Sequence, residues 1–392
     1  MCQGEQQKLH QRSPDGSNRK QLSPSSRSTS VSSSSTSLND NDNNNETDTT
    51  GLLNKQDARE LAEEWEPIVT EIVNSAPPPW HSVAFIGSVA AIMVNLVPSG
   101  EELDQVATLQ TFARAEPWIG GTWNLAIIRG IIALSIWATT LHVLCGPGWT
   151  QITNWKPGSK LKPNTRITLK GIKTMFPFTS FSWNLLGISY TLNALIAYCV
   201  ATGNDEWIVN MRNNALLRAA LMIWETAAPC AILVSTVIRY AIWEMVLKGT
   251  GDTSNLKAFR NIMMHNMNSV FVLAEVALFG GLPVRFSEVS LSPLFGATYV
   301  VFTWSMQHQW AEKEHGPQFI YYFFDTTMGK ATTISLIALL CVLLLFYVLF
   351  ATARVGLDEL SLWFGEEQRH IQLAGHFVFT SLLSSAVCRF RD

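Results

Sequence analysis

Charge is scarce in this 392-residue chain, 15% of residues, and it nearly cancels to a net −3. A balance that small, with no Lys/Arg-rich stripe carrying interleaved aromatics, excludes electrostatic capture of nucleic acid. Six cysteines stand at 2, 145, 199, 230, 341 and 388 with no CxxC pair and no regular framework. Four of them fall inside or at the end of apolar runs, so they read as small buried hydrophobes and not as disulfide partners. Neither a Gly-rich phosphate loop, HExxH, GxSxG nor a dinucleotide fingerprint is present, and no cofactor is expected. His308 and His315, with Glu312 and Glu314, are too irregularly spaced for a metal site, and no metal is expected either. The first eighty residues also lack a long apolar run, so insertion is expected to be signalled by an internal segment and not by a cleavable signal peptide.

The hydrophobic content, 47% on average, is therefore concentrated later. Residues 1–50 hold twelve Ser and six Asn against six apolar residues, and cannot bury enough surface to offset the entropy of ordering them. They read as a disordered tail. Residues 51–79 read as an amphipathic helix and a Pro-rich linker, with Leu52, Leu53, Leu61, Trp65, Ile68, Val69 and Ile72 spaced mostly by three or four before the triple proline. Residues 80–355 contain apolar runs at about 123–145, 176–202, 215–239, 261–280, 291–308 and 331–353, close to the roughly twenty residues that cross about 30 Å of hydrocarbon. A shorter run at 82–97 is a possible seventh span. The fold class expected is all-α, a polytopic transmembrane helical bundle of six core spans plus one possible N-terminal span. Backbone groups in lipid need internal partners, and no barrel-type alternation is visible. Residues 356–392 mix acidic and apolar side chains and read as a C-terminal interfacial tail.

The loop after the first core span carries Lys156, Lys160, Lys162, Arg166, Lys170 and Lys173 without an acid, whereas the loop before it carries Glu101, Glu102, Asp104 and Glu116. The basic loop is expected on the cytoplasmic side. Seven spans with the N-terminal tail inside satisfy this. Glycosylation of the sequon at Asn45 would contradict it.

Polar groups inside spans are costly and invite a functional reading. In the fourth run Asn261, His265, Asn268 and Glu275 fall within about 80° of helical arc, a stripe that must face the bundle interior. Interhelical hydrogen bonding accounts for such a stripe as readily as chemistry does. In the second run Thr179, Ser182, Tyr190 and Asn193 share one face, with Ser180 about 100° away. Hydroxyls at a span entrance commonly cap the helix or bond back to its backbone. The two runs also point in the same direction, which places Thr179 and His265 at similar depth. A neutral His within reach is the usual means of activating a Thr hydroxyl. Arg129 and Glu225 are read as structural ion-pairing groups, with each other or with the stripe.

Three local motifs resemble the androgen-induced-gene/FAR-17a family of multi-spanning membrane hydrolases. They are FPFTSF at the second run, Asn261 four before His265 with Glu275 ten after it, and the aromatic segment Phe319 to Asp325, with Tyr299 and His308 placed as in the family. The resemblance covers residues 123–355. It implies hydrolysis of fatty acid esters of hydroxy fatty acids by a Thr and a His. Thr179 is then the nucleophile, Ser180 the alternative one, His265 the base, and Asn261, Asn268 and Glu275 supporting or oxyanion candidates. HNMNSV is also similar to the rolling-stone proteins, relatives associated with cell fusion.

The expected function is an integral membrane hydrolase of lipid esters, its partner a membrane lipid substrate, in the endoplasmic reticulum or plasma membrane. The alternatives are a non-catalytic multi-pass protein of adhesion, fusion or signalling, and a transporter.

Overall fold

The computed structural model describes residues 73–153, 156, 158–209, 214–249, 251–364 and 368–392. The expected disordered tail and almost all of the amphipathic helix lie outside the described residues. The chain is mostly helical. A helix α1 (Trp80–Asn95) leads through two short helices, α2 (Gly100–Asp104) and α3 (Leu109–Ala113), into α4 (Thr122–Cys145). Two strands, β1 (Trp149–Ile152) and β2 (Arg166–Leu169), pair antiparallel before α5 (Phe178–Thr202). Short α6 (Glu206–Val209) precedes α7 (Ala215–Gly249) and α8 (Phe259–Phe279). Then follow α9 (Leu291–Ser305), α10 (Lys330–Phe364) and α11 (Arg369–Val387).

Five of these helices, α4, α5, α7, α8 and α10, are long and apolar enough to cross a membrane. They coincide with five of the six core runs. The remaining core run, 291–308, yields only the fifteen residues of α9, because the helix ends at Ser305 and a turn begins at Met306. At 1.5 Å per residue that is about 22 Å, short of a full crossing. The run at 82–97 gives sixteen residues, also short.

Three boundaries show a local cause. Ser99 accepts from the Glu102 N–H while the Glu102 carboxylate accepts from the Ser99 N–H, a reciprocal cap that starts α2. Pro177 precedes α5 in an extended conformation, and Gly203 ends it at φ 67°, with Asn204 N–H reaching back to the Cys199 carbonyl.

α4 and α10 carry an inward and an outward apolar face. On α4, Leu125, Arg129, Ile132, Ile136, Thr140 and Val143 are buried at helical spacing, while Ile127, Ile131, Leu134 and Leu141 on the opposite side are exposed, Leu134 at 70%. The outward face of α10 is alike, with Ile334 67% exposed. α4 packs along α5, tightly at Gly187, where an added Cβ would sit 2.8 Å from Ile136.

The expected interfacial tail has more particular structure. α10 continues to Phe364, helped by an Arg354–Asp358 pair one turn apart, and α11 packs against α8 and α10. Arg389 N–H and its carbonyl bond the two ends of the Asn266 side-chain amide at 3.2 and 2.6 Å. Residues 369–392 are thus tied to α8.

Candidate active site

α8 is not a uniform α-helix. Its regular turns are interrupted by wider π-helical turns at Met263–Met267 and Glu275–Phe279. Such turns re-aim side chains, and they concentrate at functional positions. His265 lies at the centre of the first, half-buried, and its Nδ1 is buried without a hydrogen-bond partner among the described residues.

The other stripe residues are occupied. Asn261 donates to the Asn255 carbonyl at 2.6 Å. Asn268 accepts from the Ser235 hydroxyl at 2.8 Å and donates to the Ala231 carbonyl, joining α8 to α7. Glu275 is fully buried and receives Arg129 of α4 through both carboxylate oxygens, at 3.2 and 2.5 Å. Arg129 also donates to the Phe112 carbonyl. Arg129 therefore pairs with the stripe and not with Glu225, which lies against Tyr347 and Arg285. Asn266, one residue beyond His265 and off the stripe, is also buried and holds residue 389.

Thr179 is the second residue of α5 and is half-buried. Tyr321 is a neighbour of it, its hydroxyl lying near Thr179 and the Phe178 backbone. Burial pushes that phenol up to about 12, so it is neutral near pH 7. Ser180 is buried and donates to the Thr174 carbonyl at 2.8 Å, back onto the turn that precedes its own helix. No hydrogen bond joins Thr179 to His265 among the described residues. Phe178 and Phe181, on either side of Thr179, pack on Tyr299, whereas Met263 and Met264 beside His265 belong to the main core between α4, α5, α7 and α8.

The two residues are nevertheless close to the same level. Phe271 of α8 lies between Trp183, whose ring centroid is 6.5 Å away, and Tyr190, whose hydroxyl donates to the Phe271 carbonyl at 2.7 Å. His265 is six residues before Phe271, about 9 Å along the axis, which sets it level with the first turns of α5. Tyr321 was within the aromatic segment singled out in the sequence, yet only the fold identifies it as the neighbour of Thr179.

Opposite this end of α8, the last carbonyls are all taken. Val276 accepts from Arg354 at 2.8 Å, Ala277 from His376 Nδ1–H at 2.6 Å, Leu278 from the Trp118 indole at 2.7 Å and Phe279 from the Glu116 backbone at 2.8 Å.

No family model matches this chain, and no curated protein or solved structure matches it either.

Proposed function

We propose that the chain is a polytopic membrane protein that hydrolyses lipid esters, with Thr179 as nucleophile and His265 as general base. The membrane reading rests on five helices of sufficient length and apolarity, and on outward faces such as those of α4 and α10 that hydrocarbon would cover. α1 and α9 complete the bundle as shorter elements, the one crossing only with local thinning and the other packed between α1, α7 and α10.

The observation that carries the catalytic reading is the buried, unpartnered Nδ1 of His265 on a π-turn, level with the start of α5. A buried polar atom normally finds a partner, and one left open is suited to an arriving proton. His265 would take the Thr179 hydroxyl proton as the oxygen attacks the ester carbonyl, then return it to the departing alcohol; water would release the acyl group by the same steps in reverse. A substrate seated between α5 and α9 would turn the Thr179 hydroxyl from Tyr321 towards His265. Ser180 is the weaker nucleophile because its hydroxyl is committed to Thr174. The test is hydrolysis of a long-chain hydroxy-fatty-acid ester by protein in lipid nanodiscs. Thr179→Ala and His265→Ala should each lose about 10²-fold or more in rate. Undiminished activity in both overturns the assignment.

A second reading is favoured by one specific feature. Asn261 and Asn268, the groups that would donate to an oxyanion, and Glu275, the supporting carboxylate, are spent on packing bonds. A non-catalytic protein of adhesion, fusion or signalling would need no more. Cells carrying His265→Asn would then behave as wild type, while deletion of residues 1–75 would abolish function.

A further inference from the structure

Away from this site, Glu225 of α7 is fully buried in the core. Its Oε2 contacts the Tyr347 hydroxyl of α10 and lies 3.4 Å from the Arg285 backbone N–H. Its Oε1 has no hydrogen-bond partner among the described residues, and the Arg285 Nε stands 4.0 Å off. That guanidinium is already forked onto Glu288, which is itself buried and also accepts from the Ser287 hydroxyl at 2.8 Å.

Counting hydrogens decides the state of Glu225. The Tyr347 hydroxyl has one hydrogen and two oxygen neighbours, Glu225 Oε2 and the Arg285 carbonyl at 2.8 Å. A carbonyl only accepts, and an ionised carboxylate only accepts. With Glu225 ionised, one of the two contacts sets lone pair against lone pair. A proton on Glu225 Oε2 removes the conflict, because the carboxyl O–H donates to the Tyr347 oxygen and the Tyr347 O–H donates to the Arg285 carbonyl. Charge points the same way. One guanidinium faces two carboxylates, and a neutral Glu225 leaves Arg285 balanced by Glu288.

We propose that Glu225 holds a proton in the folded protein, and that Glu225, Tyr347 and the Arg285 carbonyl form a proton-binding site joining α7, α10 and the loop between α8 and α9. The charged and titratable groups around it are Tyr347 from α10 and Arg285 and Glu288 from the loop. Farther out, Glu102 of α2 lies near Arg285, Tyr190 of α5 rests on the neighbouring Trp224, and Glu275 of α8 is taken by Arg129. Arg285 is 30% exposed, so the site communicates with the surface that carries α2. Loss of the proton turns the single Tyr347 hydrogen to the carboxylate and frees the Arg285 carbonyl. Occupancy by a proton and the position of the 281–290 loop are thereby coupled.

Infrared difference spectroscopy on the full chain in lipid nanodiscs tests this. At pH 7 the wild type should show a protonated-carboxyl stretch that disappears in Glu225→Gln, whose amide can donate to Tyr347 as the acid does. In Tyr347→Phe the same stretch should move to higher frequency, because the acid has lost its acceptor. A wild-type spectrum from which Glu225→Gln removes no band overturns the proposal. Should that variant fail to assemble, an unshifted carboxyl spectrum in Tyr347→Phe overturns it.

Discussion

The two ends of α8 are built on opposite principles. At its C-terminal end every carbonyl from Val276 to Phe279 meets a donor from elsewhere in the chain, and Glu275 is locked to Arg129. At its N-terminal end, on a π-turn of the same kind, His265 keeps a buried ring nitrogen without a partner. The same backbone irregularity thus serves fixation in one place and leaves a ring nitrogen unclaimed in the other. Polarity inside a helix does not by itself mark a site; unfilled hydrogen-bonding capacity does so far better.

Mutation should separate the two ends sharply. The largest effect is expected for Arg129→Met, which leaves Glu275 buried and uncompensated and should cost about 3–5 kcal/mol. Thermal unfolding in nanodiscs would read it, and Arg129→Met with Glu275→Leu should recover most of the loss. Next is His376→Ala, which removes the donor to Ala277 and the contact with Ser361, worth about 1–3 kcal/mol by the same measurement. At the other end His265→Asn breaks no hydrogen bond among the described residues and should change stability by less than about 1 kcal/mol. Its effect is expected on ester hydrolysis alone. A large loss of stability there would erase the contrast.

The smallest effect concerns Glu116, at the fixed end. Burial raises its carboxyl above the ordinary range, while Arg114, His376 and Arg354 pull it back. A carboxyl raised in the folded state contributes fully below its unfolded value and loses that contribution as pH rises through the folded one. Wild type and Glu116→Gln should therefore melt together below about pH 4, with the wild type falling slightly behind towards neutrality. A wild type that gains on the variant as pH rises would reverse the sign.

Much of this arrangement was legible in the residues, because length and apolarity are local properties. α4, α5, α7, α8 and α10 all stand where their runs predict. The burial of Asn268 and Glu275 followed from the cost of polar groups in an apolar helix. What escaped depends on distant partners. The pairing of β1 with β2 inside the basic loop rests on a small core of Ile167, Leu169, Trp310 and Ile320, which come from separate segments. The π-turns at Met263–Met267 and Glu275–Phe279 were not read from the sequence. Arg285 and His376 belong to no local motif; only the fold brings one beside Glu225 and the other onto Ala277.

The capping of α8 also bears on the order of folding. Donors to its last four carbonyls come from positions 116, 118, 354 and 376, so two precede α8 in the chain and two follow it by some eighty to a hundred residues. During synthesis Glu116 and Trp118 are present when α8 emerges, but Arg354 and His376 are not. The carbonyls of Val276 and Ala277 must wait for α10 and α11, which makes the C-terminal end of α8 one of the last parts of the molecule to become fixed.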